Sequence, residues 1–201
     1  MPTRLTDRPT GLLRGLLRGL LRAAVSCLAA LALLPCVTAC TGEADDLYAH
    51  HRAFFKYAPV VSVHQLYTAL NNPGMFCRIT FGTTTISFAA PDGSSTPVQR
   101  TATEAYGRPE YVAGFVAGTP SVPDLDMRFT PVAYDLACPA CYEQNLVTRS
   151  LAFSANETLA CPRCQRTYDL CNGGTATSGE GKWRLYRYQL SYANDLVVII
   201  N

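Results

Sequence analysis

The alternation of apolar and polar side chains after residue 60 predicts a chain built mainly of short β-strands. Gly82-Thr83 predicts the turn of a hairpin, and Gly114 inside a run predicts a bulge or a close approach of the backbone. Many short strands with turn signals between them indicate a β-sandwich or a barrel. The runs of β-branched, aromatic and leucine residues that predict strands cover 75–81, 84–89, 111–117, 127–134, 150–153, 166–170, 184–192 and 195–200.

One short helix is expected before these strands. Leu66, Ala69 and Leu70 fall on one face of a helix that Ser62 can cap, and the Asn-Asn-Pro-Gly sequence of 71–74 ends it. The polar segment 91–103 contains Gly, Ser and Pro and predicts a loop. No helical periodicity follows either of the cysteine pairs near the C-terminus.

The N-terminus shows a different pattern, with arginines followed by an unbroken apolar stretch. GLLR occurs three times within 11–22, and the apolar run 23–34 follows it. A membrane-spanning helix needs about 20 apolar residues, so this run fits the core of an export signal instead. Val37-Thr38-Ala39-Cys40 resembles the lipobox of bacterial lipoproteins. The resemblance implies a signal peptide over 1–39 and lipidation, as with palmitate, at Cys40; an uncleaved anchor and an ordinary signal cut are the alternatives.

The residues that follow Cys40 predict the tether and the cellular location of the protein. The stretch 41–46 is small and acidic, which is typical of a solvated tether, and we assign the tether to 40–60 and the folded domain to 61–201. Similar acidic stretches follow the lipid-bearing cysteine in surface-exposed lipoproteins of Bacteroidetes-type bacteria. The expected location is the cell envelope, anchored by lipid in the outer membrane and facing the periplasm or the surface.

Composition and charge narrow the range of functions. The chain of 201 residues is 48% hydrophobic and 16% charged, which is typical of a globular protein. Residues 1–39 hold five Arg and one Asp, which leaves 12 Lys and Arg against 14 Asp and Glu in the remainder. No basic patch for nucleic acid is left. No phosphate-binding glycine loop, paired carboxylates or Ser/His/Asp set is visible, so we expect neither an enzyme nor a small-molecule substrate.

Four cysteines in the last third of the chain carry the strongest chemical signal. Cys138-Pro-Ala-Cys141 and Cys161-Pro-Arg-Cys164 form two C-x2-C motifs that are 19 residues apart. A tight turn brings both sulfurs of such a motif to one side, and two facing turns supply four thiolates. This set suits Zn²⁺, a single iron or a small iron–sulfur cluster. We expect these cysteines to be metal or cofactor ligands in a two-knuckle subdomain over 133–175.

The oxidising envelope leaves an alternative without a metal. Disulfides that cross between the two motifs would contribute about 2–4 kcal/mol, whereas those inside one motif close very small loops. A thioredoxin-like role needs a helix that opens at the motif. Cys77 and Cys171 either pair or are unreactive buried thiols, and His50-His51 reads as an exposed stretch rather than a ligand pair.

The C-terminal third resembles Rieske [2Fe–2S] proteins. Cys161-Pro162-x-Cys164-x3-Tyr168-Asp169-Leu170-x2-Gly173, followed by Gly179, Leu185 and Tyr188, is similar to the second cluster-binding loop and the strands behind it. The resemblance covers about 134–201 and implies a mostly β fold, namely a Rieske-like β-sandwich with a metal-binding subdomain. In that family two Cys and two His hold the cluster, but here Cys164 occupies a histidine position and Cys141 lies one residue later than expected.

These observations lead to two hypotheses. The first is a lipid-anchored protein that binds a metal or a [2Fe–2S] centre through its four cysteines and transfers electrons to an unknown envelope partner. The second is a structural or binding lipoprotein without redox activity, whose motifs hold Zn²⁺ or disulfides. The absence of histidine ligands favours a four-thiolate cluster or Zn²⁺ over a standard Rieske centre.

Overall fold

The computed structural model describes Ala49, residues 52–100, the backbone of Ala105–Tyr106 and residues 112–201. The predicted signal peptide, Cys40 and His50-His51 lie outside the described residues. Within the described segments, no helix has both the length and the apolar character that crossing a bilayer requires.

The described residues form a mostly β structure with two α-helices. The helices are α1 (His64–Asn71) and α2 (Pro139–Asn145), and a 3₁₀ turn over Val60–Ser62 precedes α1. The strands are β1 (Phe54–Tyr57), β2 (Met75–Phe81), β3 (Thr85–Ala89), β4 (Ser95–Gln99), β5 (Ala105–Tyr106), β6 (Phe115–Thr119), β7 (Val132–Asp135), β8 (Ala152–Ala155), β9 (Thr158–Ala160), β10 (Thr167–Asp169), β11 (Thr175–Ala176), β12 (Arg187–Ala193) and β13 (Leu196–Ile200).

The strands form two antiparallel sheets of unequal size. The larger, curled sheet has nine strands in the order β4-β3-β2-β6-β7-β12-β13-β1-β5, and the smaller has four in the order β11-β10-β9-β8. β7 lies in the middle of the large sheet, where Val116 pairs with Tyr134 on one side and Arg187 pairs with Tyr134 on the other. The chain leaves β7 directly into the first cysteine motif, so the large sheet positions the candidate site.

Among the described residues, the sequence predicted eight of the thirteen strands and missed β1, β4, β5, β9 and β11. β2 and β3 form the expected hairpin, with Ile79 opposite Phe88. The loop predicted over 91–103 is wrong, because β4 lies there and pairs with β3. This strand is at the edge of the sheet, and its exposed positions and Pro97 hide it from a search for apolar alternation. β1 lies within the segment assigned to the tether and joins the sheet beside β13.

The helix α1 is where the pattern placed it, but Ser62 does not cap it. Leu66, Ala69 and Leu70 are buried as expected. Val63 occupies the capping position, and no side-chain cap bond is present there. The Ser62 hydroxyl instead donates to the carbonyl oxygen of Pro59 at 2.7 Å, inside the 3₁₀ turn that precedes the helix.

Two hydrophobic cores lie within this fold. The first packs the large sheet against α1 and includes a group of aromatic rings, among them Phe55, Phe88, Phe115 and Tyr188. The second lies beside the small sheet and contains Cys138, Cys141 and Cys161 among leucine, tyrosine and phenylalanine side chains. The C-terminal aromatic residues Trp183, Tyr186, Tyr188 and Tyr192 all pack in or against one of these cores.

A buried carboxylate ends β7 just before the first motif. Asp135 has no exposed surface. Its Oδ1 accepts hydrogen bonds from the backbone N–H groups of Ala137 at 2.7 Å and Ala113 at 3.1 Å, and its Oδ2 accepts one from the Tyr188 hydroxyl at 2.7 Å. Burial raises the pKa of Asp135 to about 6, although these hydrogen bonds favour the ionised form.

This carboxylate should make stability depend on pH. The pKa of Asp135 in the folded protein exceeds the value of about 3.9 in an unfolded chain, so the folded state binds more protons and the free energy of unfolding falls as pH rises from about 4 to about 6. The expected loss is about 2–3 kcal/mol. Asp135→Asn should flatten this slope in urea unfolding measured at several pH values, whereas exposed Asp126→Asn should leave it unchanged. An unaltered slope in Asp135→Asn would contradict the assignment.

Gly114 precedes β6 and confirms the predicted close approach. Its φ is +122°, and an added Cβ would lie 2.5 Å from the carbonyl oxygen of Ile79. Gly93 also has a positive φ, +87°, but an added Cβ there would meet nothing within 4 Å. The two glycines therefore share a left-handed backbone and differ in the space around them.

Alanine substitutions at these two glycines separate the loss of stability caused by a steric clash from the loss caused by a left-handed backbone alone. Gly93→Ala should destabilise the protein by about 1 kcal/mol, the usual cost of a non-glycine residue in the left-handed region. Gly114→Ala should cost several times more, because the backbone of β2 must move away from the new methyl group. Chemical unfolding of both variants tests this, and equal losses would show that the contact with Ile79 does not matter.

Candidate metal centre

The first cysteine motif opens a helix. Cys138 is the N-cap residue of α2, and Pro139 follows at the first helical position, where its missing N–H costs nothing. The Tyr142 N–H donates to the Cys138 carbonyl at 3.0 Å, and the helix ends at Leu146 with a left-handed φ of 52°. The expectation of no helix after Cys141 is therefore wrong, because a helix of seven residues is too short to show a hydrophobic period.

The second motif is a tight turn between β9 and β10. The Gln165 N–H donates to the Cys161 carbonyl at 3.0 Å, and the Cys161 N–H donates to the Arg166 carbonyl at 2.9 Å. Gln165 takes a left-handed φ of 59°, and its side-chain amide donates to the Pro162 carbonyl at 2.9 Å. This backbone closes the turn and brings Cys164 back toward Cys161.

The two motifs bring all four predicted sulfurs together. The sulfur atoms of Cys138, Cys141, Cys161 and Cys164 all lie within 4.8 Å of one another. The close pairs cross between the motifs, with 3.6 Å from Cys138 Sγ to Cys164 Sγ and 3.7 Å from Cys141 Sγ to Cys161 Sγ. A disulfide requires about 2.05 Å, and all six cysteines of the described segments are free.

These separations match the edges of a tetrahedron around one metal ion. Four thiolates at a zinc–sulfur distance of about 2.3 Å stand about 3.8 Å apart. No histidine or carboxylate among the described residues joins the group. Four cysteines therefore lie close enough to bind a metal ion such as Zn²⁺ with a complete set of protein ligands.

The site is almost sealed from water. Cys138 and Cys161 have no exposed surface, and Cys141 is 2% exposed. Cys164 is the exception and is only half-buried. Its sulfur therefore marks the side of the centre that faces solvent.

Groups that can donate hydrogen bonds lie next to the sulfurs of Cys138 and Cys164. The Tyr168 hydroxyl lies 3.3 Å from Cys138 Sγ, and the Cys141 backbone N–H also hydrogen-bonds that sulfur. The backbone N–H and the guanidinium of Arg166 favour the thiolate of Cys164 and lower the pKa of that group. Donors of this kind stabilise thiolates and orient metal ligands.

Arg166 is held in place on the solvent side of the centre. Its guanidinium lies 6.0 Å from the centre of the Trp183 ring and donates to the Glu180 carbonyl at 3.1 Å. Gly179, with a φ of +88°, makes room for it, because an added Cβ would lie 2.7 Å from the Arg166 Cγ. Arg166 thus places one positive charge beside a group of four sulfurs.

The electrostatics of the four clustered cysteines favour protonated thiols or a bound cation over four free thiolates. Burial and the neighbouring thiols raise the pKa of Cys138 to about 11, against the effect of the Tyr168 hydrogen bond. Burial and the other sulfurs also raise the pKa of Cys141. Burial alone would raise the pKa of Cys164 too, but the Arg166 hydrogen bonds outweigh it and lower the pKa to about 6. A bound dication would replace the protons on the remaining thiols.

The other two cysteines of the described segments are separate from this centre. Cys77 lies in the first core, where burial raises its pKa. Cys171 donates to the Glu157 carboxylate at 2.9 Å and accepts from the Ser121 N–H at 3.3 Å. They do not pair with each other, so the interpretation of Cys77 as a buried core thiol is confirmed and a disulfide between them is not.

Sequence reasoning identified the ligands but not the groups that support them. Tyr168 was noted only as part of a resemblance, and Arg166 was not singled out. Asp169 is a turn carboxylate at the end of β10, because its Oδ1 accepts from the N–H groups of Cys171 at 2.9 Å and Asn172 at 3.2 Å. An arginine two residues after the last cysteine of a motif is the one signal that could have indicated the charge near Cys164.

Comparison of the chain with protein-family models, curated proteins and solved structures found no match. The interpretation of the centre therefore depends on its own residues and geometry.

Removing the guanidinium should weaken metal binding. Arg166→Ala deletes the positive charge beside Cys164, so we expect zinc affinity at neutral pH to fall by about tenfold or more. Arg163→Ala is the matched control, because this exposed arginine lies inside the same motif without contacting a sulfur in the described structure. Competition with a chromophoric chelator measures both affinities, and equal values for the two variants would contradict the role of Arg166.

Proposed function

We propose that this chain is a binding protein of the cell envelope whose second core is built around one Zn²⁺ ion held by Cys138, Cys141, Cys161 and Cys164. The observation that carries the proposal is the mutual distance of the four sulfurs, at most 4.8 Å. This arrangement corresponds to a tetrahedron around a single ion. The role of the ion is structural, because four protein thiolates leave no position open for a substrate or water.

The sulfur spacing favours a single ion over the two-iron cluster of Rieske proteins. In a two-iron cluster, two thiolates on different irons are separated by the iron–iron distance plus the outward components of two iron–sulfur bonds. Four sulfurs grouped within little more than one tetrahedral edge leave no room for two irons and their bridging sulfides. The Rieske resemblance then concerns the scaffold, with two ligand loops beside a small sheet, and not the cofactor.

The ion would add a direct link between two parts of the chain that already share the second core. Cys138 and Cys141 follow the central strand β7, whereas Cys161 and Cys164 lie between β9 and β10 of the small sheet. A four-stranded sheet with strands of two to four residues has little apolar area of its own to bury. A metal ion between the two motifs would add its binding free energy to the hydrophobic packing of the second core.

The test is the metal content of matched cysteine variants. Wild-type protein purified under reducing conditions should hold about one zinc per chain, and Cys161→Ser should lose it together with a substantial part of its thermal stability. Cys171→Ser is the control, since this half-buried cysteine does not contact the centre. Elemental analysis and thermal unfolding with and without a chelator are the measurements. Metal-free wild type with stability unaffected by added zinc would contradict the proposal.

Iron with electron transfer is the second candidate for the same four ligands. The half-buried Cys164 offers a route for an electron to the surface. The hydrogen bonds to the sulfurs of Cys138 and Cys164 are of the kind that tunes the potential of iron–thiolate centres. An iron protein is coloured and bleaches on reduction, whereas a zinc protein is colourless, so the absorption spectrum of the purified protein decides between them.

We further propose that Cys40 is the lipid attachment site, so that the domain acts at a membrane surface with an envelope protein as partner. The support is the Val37-Thr38-Ala39-Cys40 sequence behind an apolar run. Several acyl chains would anchor the protein firmly, at about 0.8 kcal/mol for each buried methylene.

A pair of cysteine variants tests the anchor. Cys40→Ala should move the protein from the detergent phase to the aqueous phase and abolish incorporation of labelled palmitate in a bacterial host. Cys36→Ala is the control, because it changes a cysteine within the predicted signal and leaves the lipobox intact. Unchanged palmitate incorporation in Cys40→Ala would show that the lipid is attached elsewhere or that the signal is of another kind.

A further inference from the structure

Among the four cysteines of the centre, Cys164 is the one that is substantially exposed to solvent. The other three are between 0% and 2% exposed, whereas Cys164 is half-buried. In thiol–disulfide exchange, the more accessible cysteine reacts first with a reagent in solution. Among the four cysteines, Cys164 is therefore the one that reacts first with a disulfide reagent in solution.

The geometry also fixes which cysteine reacts next. Cys138 Sγ is 3.6 Å from Cys164 Sγ, and the remaining pair, Cys141 and Cys161, is 3.7 Å apart. Both close pairs cross between the motifs. Formation of a disulfide shortens each separation to about 2.05 Å, and each crossing would keep the two motifs attached without a metal.

We propose that Cys164 is a thiol–disulfide exchange site, with small-molecule disulfides as its reactants and Cys138 as the cysteine that resolves the adduct. This inference rests on the proposed metal centre and adds its regulation: the centre exchanges a bound ion for cross-motif disulfides, Cys138–Cys164 first and Cys141–Cys161 second.

The chemistry is balanced with a disulfide as the oxidant. The Cys164 thiolate attacks the reagent, which forms a mixed disulfide and releases one small thiolate. The Cys138 thiolate then attacks Cys164 Sγ, which forms the protein disulfide and releases a second small thiolate. Two electrons pass from the two cysteines to the reagent. The first protein disulfide leaves the ion with two of its four ligands. Cys141 and Cys161 then react in the same way with a second molecule of the reagent, which releases two more small thiolates, and the ion leaves as Zn²⁺.

Cys171 shows why the reaction is specific to the centre. It is also half-buried, and its thiol donates a hydrogen bond to the Glu157 carboxylate. Its other hydrogen-bond partners are Ser121 and Asp169, and none of them is a second sulfur. A reagent can form only a mixed disulfide there. Cys171 thus serves as an internal control, because it is partly exposed but has no second thiol nearby that could resolve the adduct.

Tryptic peptides of the wild-type chain distinguish the pairings. Cleavage after arginine places Cys138 and Cys141 in peptide 129–149, Cys161 in 150–163 and Cys164 in 164–166. The zinc-loaded full chain is treated with oxidised glutathione, trapped with an alkylating reagent, denatured, digested without reduction and analysed by mass spectrometry. Zinc release is followed in parallel with a chromogenic chelator.

The expected first product links 129–149 to 164–166 and leaves 150–163 alkylated, with fragmentation assigning the bond to Cys138. Prolonged treatment should add a bond from Cys141 to 150–163, and zinc should be released in step with these bonds. A bond between 150–163 and 164–166, or a disulfide inside 129–149, would overturn the proposal. Modification of Cys171 with the four ligands still alkylated would overturn it too.

Variants test the order of attack. Cys171→Ser should release zinc at the wild-type rate, whereas Cys164→Ser should slow release by about tenfold or more. If Cys164→Ser does not hold zinc, the peptide map of the wild-type chain still decides. A wild-type chain that binds no zinc after reconstitution contradicts the proposed centre, and oxidation of that metal-free chain tests the pairing on its own.

Discussion

Four cysteine sulfur atoms that lie within 4.8 Å of one another are the constraint on which this structure depends. Burial and mutual repulsion oppose four thiolates in one place, as the raised pKa values of Cys138 and Cys141 show. A divalent cation reverses this balance, because each sulfur then gains an ionic partner in a site that excludes water. With a metal bound, these sulfurs would become the strongest attachment within the second core.

The fold is arranged so that the large sheet carries this centre. β7 contributes side chains to both cores: Ala133 packs with the aromatic rings beside α1, and Tyr134 packs with the cysteines. Asp135 ends the strand and binds the N–H of Ala137, which immediately precedes Cys138. A rigid strand, a buried carboxylate and a helix start thus place the first two ligands, while the small sheet needs to supply only one tight turn. This division explains how such short strands can form a precise site.

The sequence allowed the ligands and most strands to be predicted, since both depend on local patterns. A C-x2-C motif is short-range chemistry, and alternation marks β2, β3 and β13 because one face of each is buried. β1 and β4 were missed for physical reasons: β4 is a polar edge strand, and β1 lies within the segment interpreted as a tether. Arg166 and Tyr168 acquire their roles only when the motif turns back on itself, which no spacing rule reveals.

The central claim is that one ion with four sulfur neighbours lies between the two motifs. X-ray absorption at the zinc edge of the purified, reduced protein tests it most directly. The account predicts a single shell of four sulfur atoms at about 2.3 Å from zinc, with no nitrogen or oxygen ligand and no neighbouring metal. A shell with nitrogen or oxygen atoms, a metal–metal distance, or the absence of any bound metal would contradict it.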